Sequence, residues 1–151
     1  MADVTRNASV HWEGDIRSGS GKLDLASSGA AGDLPISLPT RSSDDASGQT
    51  SPEELIAASH AGCYAMALSM VLTQGGNPPE SLDASAEVAL AEASGGGYEV
   101  TRSELTVRGR VPGLDAEGFE MAAKEAEQAC PISNAMRGNV EISVNAELEG
   151  G

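Results

Sequence analysis

Cys63 and Cys130 are the only thiols in the chain. Two cysteines can pack as small apolar side chains, hold a metal together with histidine, or cycle between dithiol and disulfide. Cys63 lies in "AASHAGCYAM", and no Lys, Arg, Asp or Glu falls between Leu55 and Leu72. Its neighbours Ala57, Ala58, Ser59, Ala61 and Gly62 are small. They leave room for another backbone or a ligand, where a helix that only filled a core would carry Leu. Cys130 ends the run "EMAAKEAEQAC" directly before Pro131. The proline removes a backbone donor and disturbs the helix, so a second short helix, "PISNAM", can start there with Cys130 near its positive end. Both cysteines read as helical and apolar in setting. If both helices turn those faces to one core, the thiols can meet there.

The reactive form of a cysteine is the thiolate, which burial disfavours, so a cation must offset the cost. Arg41 and Arg17, both in turn or loop segments, are the candidates, and Glu53 or Glu54 could orient an arginine. The bland alternative for each arginine is a solvated surface charge. His60 and Cys63 stand three residues apart on one helix and, with Cys130, make a possible metal set, looser than the Cys/His pairing of most zinc sites. The competing reading of His60 is a hydrogen-bonded interior side chain. His11, beside Trp12, reads as structural.

These segments sit in a chain of 151 residues, a length that suits one domain spanning 1–151. Its aromatic residues are Trp12, Tyr64, Tyr98 and Phe119, so Ala, Leu, Val and Met must fill most of the interior. A core of such small side chains gains from burial against a second copy. With 23 acidic and 9 basic residues the formal charge is -14, which repels phosphate backbones and anionic lipids. Nucleic-acid and membrane-surface partners are therefore disfavoured. "MADVTRNASV" lacks the pattern of a signal peptide. The stretch Leu55 to Leu72 reaches the lower length limit of a membrane span, but Ser59, His60, Gly62 and Ser69 interrupt it, and a central buried helix is the better reading. A cytoplasmic location follows as the expectation, and there two free thiols or a redox pair are favoured over a structural disulfide.

The elements are read from periodicity. "SVHWEGDIRSGSGKLDL" reads as two strands around a turn, and "PTRSSDDASGQTS" as a polar loop. Ser51, Pro52 and Glu54 form the start signature of a helix that runs to about Thr73, where "QGGNPPE" stops it. Residues 84–92 and 98–111 flank "SGGG" as a hairpin, with Leu105, Val107 and Val111 on one face and Arg108 and Arg110 on the other. A second helix starts after Asp115 with the stripe Phe119, Ala122/Ala123, Ala126 and Cys130. Val140, Ile142, Val144, Ala146 and Leu148 then alternate as a last strand. The order β-β-α-β-β-α-β has no dinucleotide-binding rhythm. It predicts an α+β domain with an antiparallel sheet packed on a long central helix.

The pieces "VHWEGDIRSGSGKL", "LPTRSS", "TSPEELIAASHAGCYAMALSMVL", "VPGLDAEGF" and "ACPISNAM" together resemble the OsmC (osmotically inducible protein C) family, relatives of the organic hydroperoxide resistance (Ohr) proteins. "HWEGD" and "TR" resemble the OsmC branch. The resemblance implies a thiol-dependent peroxidase of the OsmC fold, an intertwined homodimer that needs no metal, flavin or haem. It places Cys63 as the peroxidatic cysteine, Cys130 as the resolving cysteine, Arg41 as the activating arginine and Glu53 as its carboxylate partner. An organic hydroperoxide is then the substrate and a dithiol, such as a lipoyl-bearing protein, the reductant. Glu53 and Cys63 share one helix about 15 Å apart along its axis and roughly 80° around it, so one straight helix cannot join them in a site. A homodimer with shared active sites, Glu53 of one copy approaching Cys63 of the other, resolves that conflict. The alternatives are a zinc or other metal-binding protein using His60, Cys63 and Cys130, and a non-enzymatic dimeric stress protein with core cysteines.

Overall fold

The structure, a computed structural model, describes residues 2–150. The chain divides into two compact units, one up to Pro52 and one from Glu53 onward.

The N-terminal unit holds a three-stranded antiparallel sheet of β1 (Ser9–Glu13), β2 (Ser20–Asp24) and β3 (Leu34–Ile36), followed by the one-turn helix α1 (Leu38–Arg41). Trp12 stands opposite Gly21, and Gly21 opposite Ile36. A Cβ on Gly21 would come within 2.8 Å of the Trp12 ring, so glycine lets the indole lie across the strand. The expected hairpin is present. The expected polar loop from Pro39 is not wholly a loop, because α1 occupies its start, and β3 lies before it in a stretch that sequence left without an element. Ser37 caps α1, and its hydroxyl meets that of Thr40 at 2.7 Å.

The C-terminal unit begins one residue into α2 (Pro52–Gln74), which starts at the proline the sequence marked. The hairpin β4 (Ser81–Glu92) and β5 (Tyr98–Arg110) follows, then α3 (Ala116–Ala129), α4 (Pro131–Met136) and β6 (Glu141–Leu148). Asp115 caps α3, accepting from the Gly118 N–H at 2.8 Å. The purely antiparallel sheet expected from sequence is corrected here. β4 and β5 are antiparallel, but β5 and β6 run parallel, from Arg102 opposite Glu141 to Gly109 opposite Leu148. The cause is the connection. α3 and α4 carry the chain back along the sheet, and a helical crossover returns the next strand in the same direction. The architecture is α+β, with two separate three-stranded sheets, one antiparallel and one mixed.

The core lies in the C-terminal unit. Tyr64, Ala67, Leu68 and Leu72 of α2 pack with Leu105, Val107 and Val111 from β5 and just beyond it, and with Phe119, Ala126 and Cys130 of the α3 segment. Tyr64 is anchored by its hydroxyl, which donates to the Ala123 carbonyl at 2.9 Å. α2 is long and apolar enough to cross a membrane by length and composition, yet one side of it forms this core. Its other side, with Ala58, Gly62, Met66 and Met70, is exposed in the single chain.

Candidate active site

The site is built where α3 ends. Cys130 precedes a proline, which pushes the preceding residue out of helical geometry, and its φ of -72° and ψ of 116° are extended. α3 therefore stops at Ala129, and Pro131 opens α4 at a position where its missing N–H costs nothing. Cys130 becomes the N-cap of α4, its sulfur accepting from the Ser133 N–H at 3.5 Å. The thiol is fully buried.

Cys63 lies midway along α2 and is partly buried. The Ile132 N–H of the same α4 turn and the Cys130 thiol both act on its sulfur, so the two cysteines are close neighbours. Both cysteines are reduced. The meeting of the two cysteines at one core, expected from the helix faces, is thus present, although Cys130 is the extended link between α3 and α4 and not a helical residue.

The two sulfurs are in opposite electrostatic conditions. Burial pushes the Cys63 thiol above the ordinary cysteine value, with the Ile132 N–H pulling against it. At Cys130 burial also opposes the thiolate, but the Ser133 N–H and hydroxyl, followed by Cys63, outweigh it and hold the thiol low. Within this unit Cys130 is thus the better-stabilised anion. A Cys63 thiolate needs a cation that these contacts do not supply.

Behind Cys130 lies a polar chain that sequence reading found only at one link. His60 is completely buried and uses both ring nitrogens: Nδ1 meets Ser103 Oγ at 2.6 Å and Nε2 meets Ser133 Oγ at 2.7 Å. The interior reading of His60 is correct. A histidine so engaged has no lone pair left for a metal, and among the described residues no cluster of three His, Cys, Asp or Glu side chains could hold one. Ser103 and Ser133 were missed, although each left a signal. Ser103 falls on the same buried face of β5 as Leu105 and Val107, and Ser133 is three residues after an N-cap.

Of the remaining predicted residues, Glu53 is buried in the first turn of α2, while Glu54 is exposed. Arg41 closes α1 in the N-terminal unit. There it lines a recess with Trp12, Ile16, Ile36 and Leu38. Arg17 is exposed in the β1–β2 turn, its N–H bound to Asp15.

A sequence model of the OsmC-like protein family matches residues 43–145. The chain belongs to the OsmC-like family. Peroxiredoxin OsmC of Escherichia coli (strain K12) is 35% identical over 146 residues, covering 97% of this chain and 98% of that protein. An organic hydroperoxide resistance protein of Xanthomonas axonopodis pv. citri is 31% identical over 78% of this chain and 81% of its own length. Among solved structures, the organic hydroperoxide resistance protein OhrB of Bacillus subtilis superposes with a TM-score of 0.70 at 29% identity, covering 95% of this chain and 98% of its own. One from Elizabethkingia anophelis shares the fold with a TM-score of 0.78 at 24% identity, covering 98% and 99%. Family membership and the paired thiols make this OsmC-like chain a thiol-based peroxidase.

Proposed function

We propose that this OsmC-like protein reduces organic hydroperoxides, with Cys63 attacking the peroxide and Cys130 resolving the product. The observation that carries the reading is the closeness of the two thiols at the α3–α4 break, each of which shifts the other's pKa. The Cys63 thiolate attacks the terminal peroxide oxygen. An S–O bond forms, the O–O bond breaks, and an alkoxide leaves to take a proton as the alcohol. Cys63 is then a sulfenic acid. Cys130 attacks its sulfur, a disulfide forms, and hydroxide leaves as water. A dithiol reductant, such as a lipoyl-bearing protein, takes the disulfide back to two thiols.

Two settings favour this division of labour. Cys63 is the partly accessible thiol, and small residues surround it, so a substrate reaches it first. Cys130 is buried but held as the better anion, which suits a thiol whose only target is a neighbouring sulfur. Arg41, oriented by Glu53, is the proposed cation for Cys63. The resemblance in "PTRSS" and "PEEL" supports it, as does the burial of Glu53. The apolar recess that Arg41 lines, with Trp12, Ile16, Ile36 and Leu38, suits the organic part of a hydroperoxide better than hydrogen peroxide. The two units are taken as one OsmC-like domain, since the matched residues 43–145 run across their boundary. The working form is a homodimer with shared active sites, and the cytoplasm is the compartment proposed for a pair of cysteines that cycles between dithiol and disulfide.

The test is a peroxidase assay with dihydrolipoamide, comparing cumene hydroperoxide with hydrogen peroxide. The organic substrate should turn over faster. Cys63→Ser should abolish turnover. Cys130→Ser should allow one round, leaving a sulfenic acid on Cys63 that a dimedone-type reagent traps. Full activity in Cys63→Ser would overturn the reading.

A further inference from the structure

Ser103, His60 and Ser133 are joined by hydrogen bonds, the Ser133 N–H reaches the Cys130 sulfur at 3.5 Å, and the thiol chemistry above uses only Cys130 and Cys63. His60 comes from α2, Ser103 from β5, and Ser133 from α4, so three elements converge on one imidazole. All three side chains are fully buried. Burying a histidine with two hydroxyls in a core is costly unless every polar atom is satisfied, and among the described residues none is left unpaired.

We propose that Ser133 and His60 form a proton relay that deprotonates Cys130 for its attack on the Cys63 sulfenic acid. Ser133 joins the two: its N–H donates to the reacting sulfur at 3.5 Å, its hydroxyl meets His60 Nε2 at 2.7 Å, and His60 acts through it as a positioning and proton-holding residue. The proposal rests on Cys130 being the resolving thiol.

The proton positions follow from the partners. A neutral His60 carrying its proton on Nδ1 donates to Ser103, and its Nε2 accepts from the Ser133 hydroxyl. The Ser133 hydroxyl, which acts on the Cys130 thiol, is then the group that takes its proton in the relay. Passing one proton from sulfur to Ser133 and another from Ser133 to Nε2 leaves a thiolate that receives the Ser133 O–H. His60 becomes an imidazolium donating at both nitrogens. The charged group facing this imidazole is Glu127 of α3, which favours the cation. Its carboxylate is in turn paired with Arg137 at 2.7 Å. Tyr64, also near Glu127, stays neutral because burial pushes its hydroxyl up. The thiolate attacks the Cys63 sulfur, the S–S bond forms and the S–O bond breaks. The proton held by His60 neutralises the departing hydroxide, so a thiol and a sulfenic acid give a disulfide and water. No outside reactant is needed.

A purely structural hydrogen-bond network would stiffen the fold without affecting one step over another. The relay predicts a selective effect. Reduced protein is mixed with excess cumene hydroperoxide, quenched at intervals with a dimedone-type reagent, and Cys63 sulfenic acid and disulfide are counted by mass spectrometry across a pH series. In Ser133→Ala and His60→Gln, sulfenic acid should form at the wild-type rate. Disulfide closure should slow by about a hundredfold at low pH, the size of a lost acid–base group. Closure in these variants should recover by about one decade per pH unit as Cys130 deprotonates unaided. Ser133→Thr keeps the hydroxyl and should keep closure near wild type. Wild-type closure rates and pH profile in Ser133→Ala would overturn the relay, as would equal slowing of both steps in folded protein. A wild-type sulfenic acid found on Cys130 would instead overturn the cysteine roles, an outcome separate from the other two.

Discussion

Cys63 and Cys130 show how two identical side chains acquire different chemistry from backbone placement. Cys130 gains the first donors of α4, whereas Cys63 has one donor and the cost of burial. The missing stabilisation at Cys63 defines what Arg41, the proposed cation, would have to supply. A charge-assisted hydrogen bond to an anion contributes about 1.5–3 kcal/mol. Arg41→Ala should therefore raise the Cys63 thiol pKa and slow sulfenic-acid formation by roughly tenfold to a hundredfold. Thiolate absorbance against pH and stopped-flow oxidation measure the two effects. Wild-type rates in Arg41→Ala with a large loss in Arg17→Ala would transfer the role to Arg17. His60 gives a second, opposite case. In the resting dithiol, burial holds its imidazole below the ordinary histidine value, with Glu127 pulling the other way. Unfolding then takes up a proton wherever the unfolded histidine is charged and the folded one is not. Stability should accordingly fall as the pH drops below about 6.5 and keep falling to the depressed folded value. Urea titrations of wild type and His60→Gln on both sides of that pH check the sign, since the variant should lose that part of the slope.

The elements that position these residues were legible to different degrees, for physical reasons. The Ser-Pro-x-Glu start of α2, the alternation along β6 and the Asp115 cap all follow from local rules, and each is where sequence placed it. The same holds for the α3 break at Cys130, because the steric effect of Pro131 acts on its immediate neighbour. β3 was not legible. It has three residues, one of them Pro35, and its place is set by pairing with β2 rather than by any pattern of its own. The parallel pairing of β6 is a property of the crossover, so alternation along β6 alone could not reveal it. At the site, the cysteines were visible because their type is rare, while Ser103 and Ser133 were not, because serine is common and their role appears only once three elements converge. The packing between β5 and α3 gives the prediction at this scale. A Cβ at Gly109 would stand 2.6 Å from Phe119 Cζ and 3.0 Å from Leu82 Cδ2. The Phe119 ring is buried and has no room to retreat. Gly109→Ala should therefore destabilise the protein by about 1–3 kcal/mol, the range for overpacking, as a lower denaturant midpoint in the same titration. An unchanged midpoint would show that α3 can slide off the strand.

At the scale of the molecule, the single chain leaves apolar surface that a lone globule would hide. Every fully buried hydrophobic side chain among the described residues belongs to the C-terminal unit. In the N-terminal unit Val10 is 51% exposed and Ile16 59%, and β1 has no buried residue. On α2, Ala58, Gly62, Met66 and Met70 recur every four residues, and Met66 is 71% exposed. Four-residue spacing places them on one stripe of the helix, and the small residues at its N-terminal end permit close approach by a second helix. A second copy is the proposed cover. Its antiparallel packing along this stripe would carry Glu53 of one chain toward Cys63 of the other, across the gap of about 15 Å that one helix cannot close by itself. Two equivalent sites would then be related by a two-fold axis. Such a site predicts complementation. Glu53→Ala and Cys63→Ser homodimers should each be nearly inactive, since each lacks one residue at both sites. A heterodimer purified through two different tags should regain one complete site and about half of the wild-type activity, because only one of the two symmetric sites is intact. Sedimentation confirms that the heterodimer is the species assayed. No recovery in verified heterodimers, or full activity from a monomer, would sink the shared site and return Glu53 to its own chain.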